Sequence, residues 1–342
     1  MKTILNIERI QSPLQVKDPF IMAVHHNDHY PTGNEKMEPT HYLPTWQVGQ
    51  DFNPKAPWRM YHGEKVPGFP YHPHRGFETV TVVLEGFVDH FDSLGSKGRY
   101  GEGDVQWMSA GSGALHSEMF PVISQTTDNP MELFQIWLNL SSKGKKTSPN
   151  YKMLWNEHIP LIAEQDKNGN KYEIKLVAGK YGTVESLDPL PDSWAFDRKN
   201  HVGIWIIKLS PNAELTIPGV SSSLNRMLYN IEGTGIQIDS EVVSSYHCAQ
   251  LKGSEDIHVT NGNSDSLLLL LEGEPINEPV AAYGPFVMNT RQEIQQAIND
   301  FKATEFGGWP WNSPEPVNNL SDGRFASYKN GEQTETPLSH SK

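Results

Sequence analysis

The sequence has a single cysteine, Cys248, in 342 residues. That excludes an internal disulfide, suits a reducing compartment, and leaves no thiolates for a cysteine-rich structural zinc site. Tyr246-His247-Cys248-Ala249 carries no nucleophile pattern, which points to a buried, incidental thiol. No window of about 18 apolar residues occurs, so no helix is expected to span a membrane. The first nine residues lack the apolar core of a secretion signal. There is no run of lysine and arginine, and the formal net charge is -13. Both argue against a direct nucleic-acid partner. A cytoplasmic protein with no membrane contact is the expectation.

What is present is globular. The hydrophobic share is 37%, with 13 Phe, 9 Trp and 12 Tyr. The length fits one large or two ordinary domains, enough for a real core.

The chemistry concentrates between Pro70 and Met119. His72 and His74 stand two residues apart, and so do His116 and Glu118. Both pairs sit beside β-type sequence, where residues i and i+2 face the same side. Phe77-Glu78-Thr79-Val80-Thr81-Val82-Val83-Leu84 is β-branched and strand-length. Glu85-Gly86 breaks it, and Phe87-Val88-Asp89-His90-Phe91 starts a return strand. Were the two pairs on adjacent strands, about 5 Å apart, three imidazoles and one carboxylate would converge on one cation. Alone, each pair is a weak signal; together, on strands of matching phase, they specify a metal site. Three neutral imidazoles and a carboxylate leave a divalent ion about one unit positive, with open coordination positions. That donor set suits Fe, Ni, Cu, Zn or Mn.

The run His72-Pro73-His74-Arg75-Gly76-Phe77-Glu78-Thr79-Val80, then Leu84-Glu85-Gly86, Gly103-Asp104-Val105-Gln106-Trp107-Met108 and Leu115-His116-Ser117-Glu118-Met119, resembles the signature of the pirin family of the cupin superfamily. Gly284-Pro285-Phe286-Val287-Met288-Asn289-Thr290, followed by Glu293-Ile294, resembles the stretch near that family's C-terminus. The likeness spans about residues 5–24 and 66–302. It implies an all-β bicupin: two antiparallel, jelly-roll-like β-barrels in tandem, with a C-terminal helix. On this reading residues 1–142 are a metal-binding barrel carrying an inserted loop at 25–66. Residues 143–162 are a linker, and 163–289 a second barrel without metal ligands. Residues 290–305 are a helix and 306–342 an irregular extension.

The second barrel echoes the first. Leu228-Tyr229-Asn230-Ile231-Glu232-Gly233 parallels Val82-Val83-Leu84-Glu85-Gly86, yet Gly219-Val220-Ser221-Ser222-Ser223 has no histidine, and His247 and His258 stand alone. Thr290-Arg291-Gln292-Glu293 reads as a helix capping box, with Ile294, Ala297, Ile298 and Phe301 at helical spacing. The aromatic, proline-rich insertion fits a lid over the metal pocket or an oligomer contact, and equally a passive surface decoration. Its His25-His26-Asn27-Asp28-His29 cluster fits hydrogen-bonded groups better than a second metal site.

The resemblance implies Fe(II) held by His72, His74, His116 and Glu118, and a quercetin 2,3-dioxygenase activity with an aromatic small molecule and O2 as substrates. Glu118 would also be the catalytic base that takes the flavonol 3-hydroxyl proton. Val82, Met108 and Phe134 are candidate apolar walls. The family also includes regulators, so the alternative is an iron-dependent redox sensor acting through a protein partner. Tyr71, Ser112 and Phe91 depart from the Asp, Arg and Glu that the family commonly carries there. Groups behind the ligands tune a metal, so these positions bear on substrate choice and redox poise.

Overall fold

The structure is a computed structural model, and it describes residues 2–337. Among the described residues it is built from antiparallel strands with one α-helix, and it divides into two compact units.

The unit holding the ligand pairs covers residues 25–136, 142–157 and 278–342. One of its sheets has five strands, in the order Asn150–Leu154, Val105–Ser109, Phe77–Glu85, Asn129–Asn139 and Phe20–Tyr30. The other has six: Gln333–Glu335, Phe325–Tyr328, Lys97–Gly101, Phe87–Asp92, Ala114–Met119 and Gly68–His74. Between them lies a core that includes Val83, Met108, Leu133, Met131 and Tyr100. The strand rich in β-branched residues, Phe77–Glu85, is central in its sheet and buried on both faces along Phe77–Val83. It ends at Gly86, whose φ of 78° only glycine adopts readily.

The other unit covers residues 1–24, 137–141 and 158–277. Its seven-stranded sheet runs Ile4–Arg9, His247–Lys252, Asn225–Glu232, Ser266–Gly273, Gly203–Leu209, Lys171–Ala178, Leu161–Gln165. A four-stranded sheet faces it (Glu214–Ile217, Ile257–Asn261, Ile236–Ile238, Glu241–Val243). The repeat read from sequence is visible here: Asn225–Glu232 is also an interior strand, ending at Gly233 with φ 118°. The core between these sheets is almost wholly aliphatic, with Ile174, Ile207, Leu228, Leu268 and Val259 among its members.

Three segments sit elsewhere than a simple tandem division places them. Ile4–Arg9 pairs with His247–Lys252, in the unit without the ligand pairs. The expected linker supplies a strand, Asn150–Leu154, paired with Val105–Ser109 of the first barrel. The expected irregular extension supplies Phe325–Tyr328 and Gln333–Glu335, the former paired with Lys97–Gly101. A sheet edge with unpaired N–H and C=O groups accepts any segment that can reach it, and strand propensity does not say which edge that is. Residues 338–342 of the extension lie outside the described residues.

The helix runs Arg291–Thr304 with the expected capping box: Thr290 accepts from Glu293 N–H, and the Glu293 carboxylate accepts from Thr290 N–H. Its apolar face, Ile294, Ala297, Ile298 and Phe301, packs on Phe286 and Met288.

The insertion packs down as part of the core. Tyr30, Trp58, Met60 and Tyr61 are buried in it, with Leu43 and Trp46 against them. His26 Nδ1 lies 2.6 Å from the Tyr61 hydroxyl, which donates to Asp28 at 2.7 Å, and Arg59 Nε donates to the other Asp28 oxygen at 2.8 Å. His25 Nε2 meets Glu132 at 2.8 Å. His25 and His26 are thus spent on internal hydrogen bonds, and His29 is exposed.

Arg99 clamps the extension to the barrel. It is 1% exposed and forks onto Asp89 at 2.7 and 2.8 Å. Its remaining N–H groups reach the carbonyls of Asn319 (3.0 Å) and Asp322 (2.8 Å). Asn318 N–H closes the circuit onto Asp89 at 2.8 Å. Removing one partner of a buried pair strands the other charge. Arg99→Ala should therefore cost about 3–5 kcal/mol in urea unfolding, whereas Lys36→Ala, at an exposed position, should fall within about 0.5 kcal/mol of the parent.

Candidate metal centre

Gly68–His74 and Ala114–Met119 are antiparallel neighbours, and His72 lies directly opposite His116. A register shift between Phe69 and His72 separates this pair from the Phe69–Glu118 pair. Period-two alternation puts His74 on the same face as His72, and Glu118 on the face of His116.

The result is one donor group. His72 Nε2 is 3.1 Å from His74 Nε2 and 3.1 Å from His116 Nε2. Among the described residues these three histidines form the group of potential metal donors, all within 4.8 Å of one another. Glu118 lies beside it, with Oε2 3.8 Å from His116 Nε2. Its carboxylate accepts from Gln135 Nε2 at 2.5 Å and from Thr81 Oγ1 at 3.1 Å. His74, His116 and Glu118 are buried.

The donor chemistry fits a cation. His72 Nδ1 is 2.9 Å from the Pro70 carbonyl, which can only accept, so Nδ1 carries the proton and Nε2 presents its lone pair. That single lone pair faces two other Nε2 atoms at hydrogen-bond distance and cannot accept well from both. One ion between the three rings satisfies all of them. Burial is the main cause that lowers the pKa of all three: His72 is below its ordinary value, and His74 and His116 are well below. The hydrogen bond to the Pro70 backbone, and after it the charge of Glu118, pulls His72 back up in part, and a hydrogen bond to the Pro285 backbone does the same for His74. Neutral imidazoles are the ligand form.

The C-terminal motif docks on the chain just past His74. Arg75 N–H donates to the Pro285 carbonyl (3.3 Å), Val287 N–H donates to the Arg75 carbonyl (3.0 Å), and Arg75 Nη1 holds Asp300 of the helix at 2.6 Å. Gly76 has φ 88°, and a Cβ there would lie 2.0 Å from the Val287 carbonyl oxygen. Buried Lys145 donates to the carbonyls of Gly76 (2.7 Å) and Val287 (3.2 Å), and burial brings its pKa down to about 8.

Sequence reasoning missed four residues near the site. Gln135 and Thr81 hold Glu118, as above. Gln106 is fully buried, opposite Thr81 on the neighbouring strand, and among the described residues neither its amide oxygen nor its nitrogen has a hydrogen-bond partner. His90 is fully buried, paired with Glu118 in register, with Nε2 3.3 Å from Asp92. His90 and Asp92 carry the same i, i+2 spacing as the ligand pairs, which was the signal available.

Two of the three wall residues need correction. Met108 lies in the barrel core, on the same face of its strand as Gln106. Val82 follows Thr81 and Phe134 precedes Gln135, so alternation turns both to the other face of the sheet. Phe134 stacks on His25 there, at 4.7 Å. Of the departures from the family pattern, Tyr71 stacks on Trp309 (5.0 Å) and Phe91 packs edge-on to Trp311 (4.9 Å). Cys248 is buried and its thiol is pushed up to about 12, chiefly by burial, which makes it a poor nucleophile.

The fold and the site define a bicupin with a three-histidine group in one barrel. The pirin profile matches residues 6–138 and the pirin C-terminal cupin domain profile matches residues 204–307. The chain belongs to the pirin family. It is 37% identical over 241 residues to a Pseudomonas aeruginosa protein named "putative quercetin 2,3-dioxygenase", covering 70% of this chain and 79% of that one. It is 34% identical over 252 residues to human pirin, covering 72% and 80%. A crystal structure of quercetin 2,3-dioxygenase from Acinetobacter baumannii superposes with a TM-score of 0.69 at 28% identity, covering 90% of this chain and 99% of that one. No helix among the described residues is long and apolar enough to cross a membrane.

Buried neutral histidines bind fewer protons folded than unfolded, so stability is present above the unfolded value of about 6.5 and is lost as pH falls. His26, held at about 3 by burial, contributes in the same sense as His74 and His116. Between pH 6 and 4.5 the metal-free protein should lose stability steadily. His26→Asn should reduce that slope by about 1.4 kcal/mol per pH unit, read from urea midpoints.

Proposed function

We propose that this chain is a metal-dependent dioxygenase that cleaves flavonols such as quercetin, with Fe(II) as its ion. The observation that carries the reading is the convergence of His72, His74 and His116 beside a carboxylate that is itself held by two hydrogen bonds. The names of the relatives and of the superposing crystal structure support the same substrate class.

In this reading His72, His74 and His116 hold the ion through Nε2, and Glu118 is the fourth ligand. When bound, the ion supplies positive charge beside the substrate oxygen and coordination positions open to exchange. Glu118 takes the proton of the flavonol 3-hydroxyl. Thr81 and Gln135 fix its carboxylate, so it meets that proton without first reorganising. The Tyr100 hydroxyl has its pKa pushed well up, by burial first and by the charge of Glu118 second, so it stays protonated beside the base. Gln106 offers a buried donor and acceptor to a polyhydroxylated substrate, and Met108 and Leu133 give apolar contact to its rings. Cleavage takes up dioxygen and releases carbon monoxide.

The test is loss of flavonol absorbance when the iron-loaded protein meets quercetin in air. Glu118→Ala and His74→Ala should each lower the rate by about 10²-fold or more, the range of a lost general base. Gln135→Ala should give a smaller loss with a shifted pH profile. Undiminished turnover in both Glu118→Ala and His74→Ala would sink the metal-centred reading. No turnover with Fe, Ni, Cu, Zn or Mn would favour the redox-sensing regulator and its protein partner.

A further inference from the structure

The second barrel lacks the paired histidines but carries a pocket that opens to solvent. Within the unit that contains residues 158–277 lies a cavity of about 410 Å³. Its walls include Ala195, Val202, the Trp205 ring, Pro218 and Val220. That volume is at the small end of ligand pockets, the size for one ring rather than a fused polycycle.

Two observations separate this space from a packing gap. Trp205 is 2% exposed, and its indole Nε1–H has no hydrogen-bond partner among the described residues. An indole nitrogen can only donate, and a buried donor left unpaired costs about 1–3 kcal/mol. Beside it stands Gly179, which also lines the cavity, with φ 91°, and a Cβ built there would lie 3.4 Å from Nε1. The absence of a side chain at 179 leaves the approach to the N–H clear.

Charge at the cavity favours an anion. The acidic group on its buried wall, Glu272, is already answered by Arg226 at 2.6 Å, and Arg226 is fully buried. Lys180, Arg198 and His201 line the solvent side against a single acid, Glu185. Arg198 is shared with Asp188 at 2.8 Å, and among the described residues Lys180 has no ion pair within 4.0 Å.

We propose that this cavity is a second ligand site, which takes a small carboxylate with a flat apolar body: the Trp205 N–H donates to a carboxylate oxygen, the apolar walls hold the ring, and the basic rim draws the anion in. The proposal stands on the second unit alone and does not rest on the dioxygenase reading.

The test uses the full chain, ¹⁵N-labelled, with benzoate as probe and benzamide as its neutral counterpart. Trp205→Phe keeps the ring, removes the N–H, and identifies the Trp205 indole signal by its disappearance. In the parent, benzoate should move that signal saturably, with a dissociation constant of about 1 mM or tighter, and benzamide should bind several-fold more weakly. By calorimetry Trp205→Phe should weaken benzoate about fivefold, the worth of one hydrogen bond. Val220→Trp, at a 40% exposed lining position, should fill the cavity and weaken it about tenfold or more without loss of folding. His74→Ala should bind benzoate unchanged, which separates this site from the metal centre. A Trp205 signal that stays still while benzoate saturates the protein, equal affinity in Trp205→Phe and Val220→Trp, or loss of binding in His74→Ala would each overturn the proposal.

Discussion

One strand pairing governs the site: Gly68–His74 against Ala114–Met119, in the register that sets His72 opposite His116. A slip of one residue would turn each histidine to the other face of the sheet, and the three nitrogens would disperse. Much of the first unit reads as insurance against that slip. The Pro285–Val287 segment pins Arg75 by backbone hydrogen bonds on both sides, and Gly76 permits the approach because any side chain there would strike Val287. Lys145 ties Gly76 and Val287 to one ammonium.

The two barrels are one architecture with opposite interiors. The first encloses His74, His116, Glu118, Gln106 and His90, all buried, and among the described residues the Gln106 amide has no hydrogen-bond partner. Polar groups of that kind are costly in a core unless a ligand or ion answers them. The second encloses aliphatic side chains across the same span. At Thr216–His258, the cross-strand pair on its corresponding strands, the histidine is exposed and its Nδ1 lies 2.9 Å from the Thr216 hydroxyl. An interior built of Ile, Leu and Val has no lone pairs to offer an ion.

The local features were legible in the chain. Two i, i+2 pairs, a β-branched run closed by Glu85-Gly86, and Thr290-x-x-Glu293 each state their own conformation, and the family likeness supplied the barrel. What was not legible is which edge a strand joins. Nothing in Ile4–Arg9 or Phe325–Tyr328 names a partner more than two hundred residues away. The facing of Val82 and Phe134 was lost for a related reason. Alternation is readable only once one residue of the strand is anchored, and the anchors, Thr81 and Gln135 on Glu118, appear only in the fold. The extension shows why Tyr71 and Phe91 sit where the family has charged groups. Trp309 and Trp311 pack on them, and an aromatic partner favours an aromatic ring over a carboxylate.

The claim beneath the rest is that a cation binds between the Nε2 atoms of His72, His74 and His116. X-ray absorption at the iron edge of the Fe(II)-loaded protein tests it most directly. The account predicts the multiple-scattering pattern of three imidazoles, with one imidazole lost in His116→Ala. A spectrum without imidazole scattering, or one unaltered by His116→Ala, would contradict it.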